Sequence, residues 1–159
     1  MVEGASILIV DDEEDLCTTL KDIFVEKGYK VETVGSGREA IERVKEEFFN
    51  LALIDIKLPD IDGIEVLKRF RRERPSMMNV MITGYATLEN TIQALNEGAN
   101  AYILKPLEPE KLLRTVEECL KKQEEAFRIT QEKISEYIEE AVRRMDLRRR
   151  RRTKPQDAT

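Results

Sequence analysis

The chain has 159 residues, 41% hydrophobic and 37% charged, which fits one domain of ordinary size plus an appendage. It has no histidine, which excludes histidine catalysis and histidine metal ligation, and no run approaches the roughly 18 apolar residues of a membrane span. The net charge of −5 is uneven, because the residues from Arg143 onward carry +6 and those before it carry −11. The acidic body disfavours nucleic acid as its own partner, whereas the basic end does not.

Two features predict a cytoplasmic protein. The N-terminus lacks the basic and apolar regions of a signal peptide. Cys17 and Cys119 lie far apart in the sequence, so we expect two packed, reduced thiols rather than a disulfide scaffold.

Strand and helix patterns alternate along the first 120 residues. Short aliphatic runs predict strands at 6–10, 30–34, 51–55, 80–83 and 101–104. Between them, helical spacing and end signals predict helices at 15–27, from the Ser36 capping box to about Phe48, at 63–73, from the Thr87 cap to Glu97, and from Pro109 onward. This alternation predicts an α/β fold: a doubly wound, five-stranded parallel sheet covered by helices on both faces.

A long helix without internal Gly or Pro is predicted from Pro109 to about Arg148. We expect its start, with Leu113, Val116 and Leu120, to pack on the sheet and to close a domain over residues 1–121. Residues 122–147 would form a helical extension with a possible coiled-coil seam through an apolar set with polar gaps at Gln123, Thr130 and Arg144: Phe127, Ile134, Tyr137 and Ala141. Self-association through this extension is the first interpretation; fraying or docking elsewhere are the alternatives.

Residues 148–159 begin with Arg148–Arg152 and predict a basic, disordered tail, because like charges repel. The run is either a solubilising tail or truncation point, or a contact for nucleic acid or another anionic surface. No helix-turn-helix or zinc-ligand pattern accompanies it.

Polar residues stand at the ends of four predicted strands: Asp11-Asp12, Asp55, Thr83 and Lys105. The carboxyl ends of parallel strands meet at one edge of the sheet, where α/β proteins bind their ligands. Three carboxylates there would suit Mg²⁺, and a hydroxyl with a lysine would suit a phosphoryl group. Asp11 and Asp12 could instead be acids at the start of the first helix.

The set Asp11-Asp12, Asp55, Thr83-Gly84 and Lys105-Pro106 resembles the receiver domain of two-component response regulators, over about residues 5–121. The segments 58–63 and 82–87 are most similar to nitrogen-regulatory-type receivers. The resemblance implies a flavodoxin-like sheet of strand order 2-1-3-4-5 and a phosphoryl group accepted from a sensor histidine kinase.

The resemblance also implies a role for each site residue. Asp55 would be the phosphoacceptor, and Asp12, Asp55 and the main-chain carbonyl of Lys57 would ligate Mg²⁺, with Asp11 acting through water. Lys105, the Thr83 hydroxyl and the Gly84 N–H would bind phosphoryl oxygens. Lys57 and Tyr85 hold positions that tune the lifetime of the phosphoryl group. Pro106 would follow a cis peptide bond.

Switching is implied at Thr83 and Tyr102, which would move together and alter the face formed by the fourth helix, fifth strand and fifth helix. Tyr102 could instead be a static core aromatic. Such a change would control dimerisation or other protein contacts.

Competing functions remain at this point. A Mg²⁺-dependent phosphatase of the haloacid dehalogenase type needs an aspartate two residues after its nucleophile, where this chain has Lys57. We therefore expect a phosphoacceptor rather than an enzyme with a separate substrate. Control of nucleic-acid binding through Arg148–Arg152 stays open, as does a receiver and signalling helix taken from a longer regulator.

Overall fold

Five short strands and five helices alternate along residues 4–153, the part of the chain that the computed structural model describes. The strands are β1 (Ser6–Val10), β2 (Lys30–Val34), β3 (Leu51–Asp55), β4 (Met78–Thr83) and β5 (Ala101–Leu104). The helices are α1 (Glu14–Glu26), α2 (Gly37–Glu46), α3 (Gly63–Glu73), α4 (Leu88–Asn96) and α5 (Pro109–Thr153).

All neighbouring strands are parallel, and the sheet has the order β2-β1-β3-β4-β5. Strand order therefore reverses at β1 and β3, which is the kind of switch point where open α/β sheets bind ligands. The predicted doubly wound fold and its strand order are confirmed.

Each face of the sheet carries its own apolar core, because successive side chains of a strand point to opposite faces. Ile7 and Ile9 of β1 join the cluster that includes α1 and the start of α5. Leu8 and Val10 of the same strand join the cluster that includes α2, α3 and α4. Burial on both sides explains why β1 and β3 carry apolar side chains at consecutive positions, 7–10 and 51–54.

Several predicted boundaries differ from the structure. α1 lies one residue earlier than predicted, at Glu14–Glu26, and α4 ends at Asn96 rather than Glu97. The second helix ends at Glu46 rather than near Phe48, since Glu47 is extended and Phe49 enters the core at 2% exposure. The fourth strand begins at Met78 rather than Val80, because Met78 pairs in register with Leu51 of β3.

The predicted helix starts are confirmed at α3 and α4. The Asp62 carboxylate accepts a hydrogen bond from Ile64 N at 2.8 Å. Thr87 and Asn90 form a reciprocal capping box, in which each side chain accepts from the other's main-chain N–H. Gly28 and Gly98 adopt positive φ after α1 and α4, the conformation that favours glycine at a helix end.

The start of α5 packs on the sheet with Leu112, Val116 and Leu120 fully buried, whereas Leu113 is only partly buried. Gln123, a polar gap in the predicted seam, is 3% exposed and hydrogen-bonded. Its Nε2 donates to the carbonyls of Asn50 at 2.8 Å and Ser76 at 2.9 Å, and its Oε1 accepts from Asn50 Nδ2 at 3.1 Å. Gln123 thus fixes α5 beside the amino ends of β3 and β4.

The chain divides into two compact units between Gln123 and Glu124, two residues beyond the predicted boundary. In the second unit α5 continues to Thr153, so the prediction that the Arg148–Arg152 run is disordered is corrected to helix. Arginine is a good helix former, and this intrinsic preference prevails over the repulsion on which the prediction rested. The rest of the predicted tail, 154–159, lies outside the described residues.

No helix within 4–153 combines the length and the apolar character needed to cross a membrane. The long α5 fails on composition, since it is rich in charged residues along most of its length.

Candidate functional site

Four strand ends bring the predicted site residues to one edge of the sheet. Val10 pairs with Ile54, so Asp11 follows β1 next to Asp55 at the end of β3. Thr83 ends β4 opposite Leu104, and Lys105 comes directly after it. A cleft of about 460 Å³ lies at this edge and is lined by Asp11, Asp12, Glu13, Asp55, Lys57, Leu58, Pro59, Tyr85 and Lys105.

Lys105 bridges two buried carboxylates. Its Nζ lies 2.9 Å from Asp11 Oδ2 and 3.0 Å from Asp55 Oδ2, while Asp11 and Asp55 are 1% and 5% exposed. Burial alone would lower the pKa of Lys105, but the hydrogen bonds and charges of the two aspartates outweigh it and raise that pKa. Lys105 therefore stays charged and offsets part of the negative charge of the site.

Burial is the main influence on Asp55 and raises the pKa of its carboxyl group. The hydrogen bonds from Lys105 and from the Lys57 main-chain N–H, at 3.1 Å to Oδ1, act in the opposite direction without overcoming burial. The charge of Asp11 raises the pKa further. Asp55 is thus a carboxylate whose negative charge is under-compensated by its surroundings, and a cation would be favoured beside it.

Three carboxylates converge in a way that fits a hard divalent cation. One oxygen each of Asp11, Asp12 and Asp55 can be chosen so that all three lie within 4.8 Å of one another. Asp12 is exposed, whereas the other two are buried, so the cluster opens to solvent on one side. Oxygen ligands with room for water are the donor set that Mg²⁺ uses.

Thr83 is fully buried, and its hydroxyl oxygen accepts a hydrogen bond from Tyr85 N at 3.0 Å. Gly84 lies beside Lys105, since a Cβ at Gly84 would be 3.8 Å from Lys105 Cβ. The Lys57 ammonium lies 4.2 Å from the centre of the Tyr85 ring, a cation–π contact across the mouth of the cleft.

Tyr102, the predicted switch aromatic, is partly buried and bonded to the start of α4. Its hydroxyl donates to Asn90 Oδ1 at 3.1 Å, and Asn90 Nδ2 donates to the Tyr85 carbonyl at 2.9 Å. Asn90 therefore joins Tyr102, the α4 cap and the loop after Thr83. The bond between Lys105 and Pro106 is cis, as the resemblance implied.

Three features of the site were not predicted. Asp60 accepts hydrogen bonds from Gly37 N and Arg38 N, both at 2.9 Å, and so ties the loop after Asp55 to the start of α2. Glu13 lines the cleft, with a carboxylate oxygen 3.9 Å from Lys105 Nζ. At Gly63 an added Cβ would collide with the main chain of Asp55 and Ile56, so this position requires glycine. The sequence spacing that places residues at strand ends carries no signal for these loop contacts.

Comparison with known proteins finds a matching family model and similar proteins. A family model described as the response regulator receiver domain matches residues 7–117. The transcriptional regulatory protein ZraR of Klebsiella oxytoca is 38% identical over 118 residues, which cover 74% of this chain and 27% of that protein. The chain thus spans about a quarter of the length of this curated relative.

Two solved structures show the same architecture. A CheY-like receiver domain protein from Methanospirillum hungatei matches 78% of this chain and 99% of that one, with 45% identity and a TM-score of 0.77. A response regulator from Burkholderia pseudomallei, solved with a phosphorylated aspartic acid, a calcium ion and citrate, matches 70% of this chain and 66% of that one, with 27% identity and a TM-score of 0.67.

Proposed function

This chain belongs to the response regulator receiver domain family, and from that premise we propose that Asp55 accepts a phosphoryl group from a sensor histidine kinase. An Asp55 carboxylate oxygen attacks phosphorus, the phosphorus–nitrogen bond to the kinase histidine breaks, and an aspartyl phosphate remains. The observation that carries this proposal is the buried Asp55 carboxylate beside Lys105, Asp11 and Asp12 at a single sheet edge. The Burkholderia pseudomallei relative with a phosphorylated aspartate supports it.

We propose Mg²⁺ as the cofactor, held by Asp12, Asp55 and the main-chain carbonyl of Lys57, with Asp11 acting through water. The convergence of three carboxylates supports this ligand set. When bound, the cation offsets the carboxylate charge that would otherwise repel a dianionic phosphoryl group. The calcium ion in the Burkholderia pseudomallei structure is a divalent ion of the same hard class.

The remaining site residues would stabilise the phosphoryl group once it is on Asp55. Lys105 can transfer its ammonium hydrogen bond from the Asp55 carboxylate to a phosphoryl oxygen. The main-chain N–H groups of Lys57 and Gly84 and the Thr83 hydroxyl supply further donors. The Thr83 hydroxyl can donate its hydrogen to a phosphoryl oxygen, because its oxygen is the acceptor in the bond with Tyr85 N.

The switch would follow from the same groups. If the Thr83 hydroxyl moves to the phosphoryl group, its bond with Tyr85 N is disturbed, and Tyr85 is linked through Asn90 to Tyr102. The packing of α4 and β5 would then change together, which is a local charge event acting on a packed surface. The proposed output is control of self-association, through the face formed by α4, β5 and α5 or through the helix at 124–153. The proposed location is the cytoplasm.

A second candidate output is nucleic-acid binding through the Arg148–Arg152 run. The run carries five positive charges on consecutive helical residues, and ZraR is named as a transcriptional regulator. A steep loss of binding as salt rises, and its abolition by removal of residues 148–159, would support this output. Salt-insensitive binding that survives this truncation would exclude it.

Phosphorylation of the full chain by acetyl phosphate tests the central proposal. With Mg²⁺ present, we expect the intact mass to rise by one phosphoryl group, and we expect no rise for Asp55→Asn. Asp22→Asn, at an exposed position on α1, is the matched control and should be phosphorylated normally. Phosphorylation of the Asp55→Asn chain would refute Asp55 as acceptor. Light scattering with beryllium fluoride, a stable mimic of the aspartyl phosphate, then shows whether the phosphorylated state differs in molar mass.

A further inference from the structure

One face of the helix at 124–153 carries a row of apolar side chains, here called the apolar stripe. Its members follow one another along about five helical turns: Phe127, Ile134, Ile138, Ala141 and Met145. Four of these side chains are exposed by 40–68%, and Ala141 is intermediate. A single helix cannot bury such a row by itself, so the apolar stripe favours an external partner.

Charged side chains are distributed unevenly around the same helix. All six acidic side chains from Glu125 to Asp146 lie more than about 100° around the helix from the centre of the apolar stripe. Beyond Met145 the stripe continues into three exposed arginines that lie within about 60° of its centre: Arg148, Arg149 and Arg152. Between residues 125 and 153, the face that carries the stripe is therefore apolar and cationic.

Neither a second copy nor a nucleic acid matches both the apolar and the cationic part of this face. Two parallel copies would bring the arginine runs together, within the Debye length of about 8 Å at physiological ionic strength. In the antiparallel register that pairs Ile138 with Ala141, residues 148–152 face residues 127–131, which contain Arg128 and no acidic side chain. A nucleic acid would pair with the arginines but would leave the apolar stripe in water.

We propose that this face lies on an anionic lipid surface, with the helix parallel to the membrane plane. The apolar stripe enters the boundary between headgroups and acyl chains, the three arginines contact the anionic headgroups, and the acidic side chains face water. The helix rests on the membrane without crossing it, in agreement with its charged composition. This inference goes beyond the proposed function, and self-association through the face formed by α4, β5 and α5 is compatible with it.

Co-sedimentation of the full-length chain with lipid vesicles, without a phosphodonor, tests the proposal. We expect binding to vesicles of phosphatidylcholine with one third phosphatidylserine, and at least about tenfold weaker binding to phosphatidylcholine alone. Each arginine near an anionic membrane strengthens binding by a factor of about five. Arg148→Gln with Arg152→Gln should therefore weaken binding to the anionic vesicles by at least about tenfold, while glutamine preserves the helical preference of arginine.

A second pair of variants separates the apolar stripe from the arginines. Ile138→Gln with Met145→Gln removes two apolar side chains from the stripe and should weaken binding to the anionic vesicles by at least about tenfold. Ile129→Gln with Leu147→Gln is the matched control, because these side chains are exposed by 42% and 57% but lie about 150° from the centre of the stripe. The control should bind as the wild-type chain does. Circular dichroism verifies that all variants keep the same helix content.

Contrary outcomes are distinct. A wild-type chain that does not bind anionic vesicles, or that binds neutral vesicles equally well, overturns the proposal. Undiminished vesicle binding by Ile138→Gln with Met145→Gln also overturns it, and leaves the arginine run as a contact for any polyanion, including nucleic acid. If that variant instead loses molar mass in light scattering, the stripe belongs to a second copy. Phosphorylation of Asp55 is read separately by intact mass, so failure of one proposal is not mistaken for failure of the other.

Discussion

At the scale of single residues, Lys105 is the group on which the candidate site depends. It is the one cation bonded to both buried aspartates among the ion pairs of residues 4–153. Its position after β5 was predictable from the sequence, but its pairing with Asp11 was not, because strand-end spacing does not fix side-chain partners. Without it, two buried carboxylates would face each other uncompensated, which is costly in a poorly solvated site.

Lys105→Ala should slow phosphorylation by acetyl phosphate by about 10²–10³-fold, the usual cost of removing one preorganised electrostatic donor. Intact-mass time courses measure the rate, and circular dichroism verifies that the chain is folded. Lys121→Ala, an exposed position on α5 that pairs with Glu117, should react at the wild-type rate. Equal rates for the two variants would remove Lys105 from the proposed chemistry.

At the scale of elements, the sequence predicted what local chemistry determines and missed what tertiary packing determines. The bounds of β1, β2, β3 and β5 follow from aliphatic runs and match the structure. The early end of α2 reflects the burial of Phe49, and the early start of β4 reflects its register with β3, neither of which is encoded within a short window. The same limit hid Asp60, whose partners lie 22 and 23 residues away in the sequence.

Asp60 stabilises the first turn of α2 in a pH-dependent manner. Its slight desolvation would raise the pKa of the carboxyl group, but hydrogen bonds from the main-chain N–H groups of Arg38, Gly37 and Ile61 lower it overall from 3.8. A carboxyl whose pKa is lower in the folded chain stabilises the fold above the unfolded pKa. That contribution is lost as pH falls through the folded pKa.

Asp60→Ala should therefore lower the Tm at pH 7, and this effect should shrink as pH falls below about 4 and through the lowered pKa of the folded Asp60 carboxyl. Thermal unfolding across pH 3–8 measures the difference. Asp60→Asn keeps a hydrogen-bond acceptor without the charge, so its Tm at pH 7 should lie between those of the wild-type and Asp60→Ala chains. A difference that stays constant down to pH 3 would contradict the charge-based account.

Gln123 supports a second element-scale prediction, because this residue is 3% exposed and makes three hydrogen bonds at the point where the first unit ends. Gln123→Ala leaves the Asn50 and Ser76 carbonyls without this donor, at a cost of about 1–3 kcal/mol in the free energy of unfolding. Gln123→Glu should be worse, since it directs a carboxylate at two carbonyl oxygens. Urea denaturation measures both, with exposed Gln131→Ala as the control. If the Gln123→Glu chain is as stable as the wild-type chain, water must reach the side chain at position 123.

At the scale of the whole molecule, the two units differ in how they are stabilised. The first buries apolar side chains on both faces of the sheet. The second exposes its large apolar residues from Phe127 to Leu147, and a single helix cannot bury them by itself. The sequence predicted this helix, whereas self-association through it stays a prediction.

Removal of residues 124–159 should separate the two units functionally. The remaining chain keeps both apolar clusters, every residue of the candidate site and the Gln123 contacts, so we expect it to fold and to be phosphorylated at the full-length rate. Its molar mass should be that of a monomer under conditions where the full chain is a dimer. Light scattering and intact mass provide the two measurements; a dimeric truncated chain would move the interface into the first unit.

The contact between Asp60 and α2 also makes the isotope exchange of two amides informative. Amides in the first turn of a helix normally lack an intrahelical acceptor and exchange with solvent readily. Those of Gly37 and Arg38 are held by a side chain from the loop that follows Asp55. Their deuterium uptake therefore measures how often that loop opens. It gives the free energy of this opening without a probe attached to the chain.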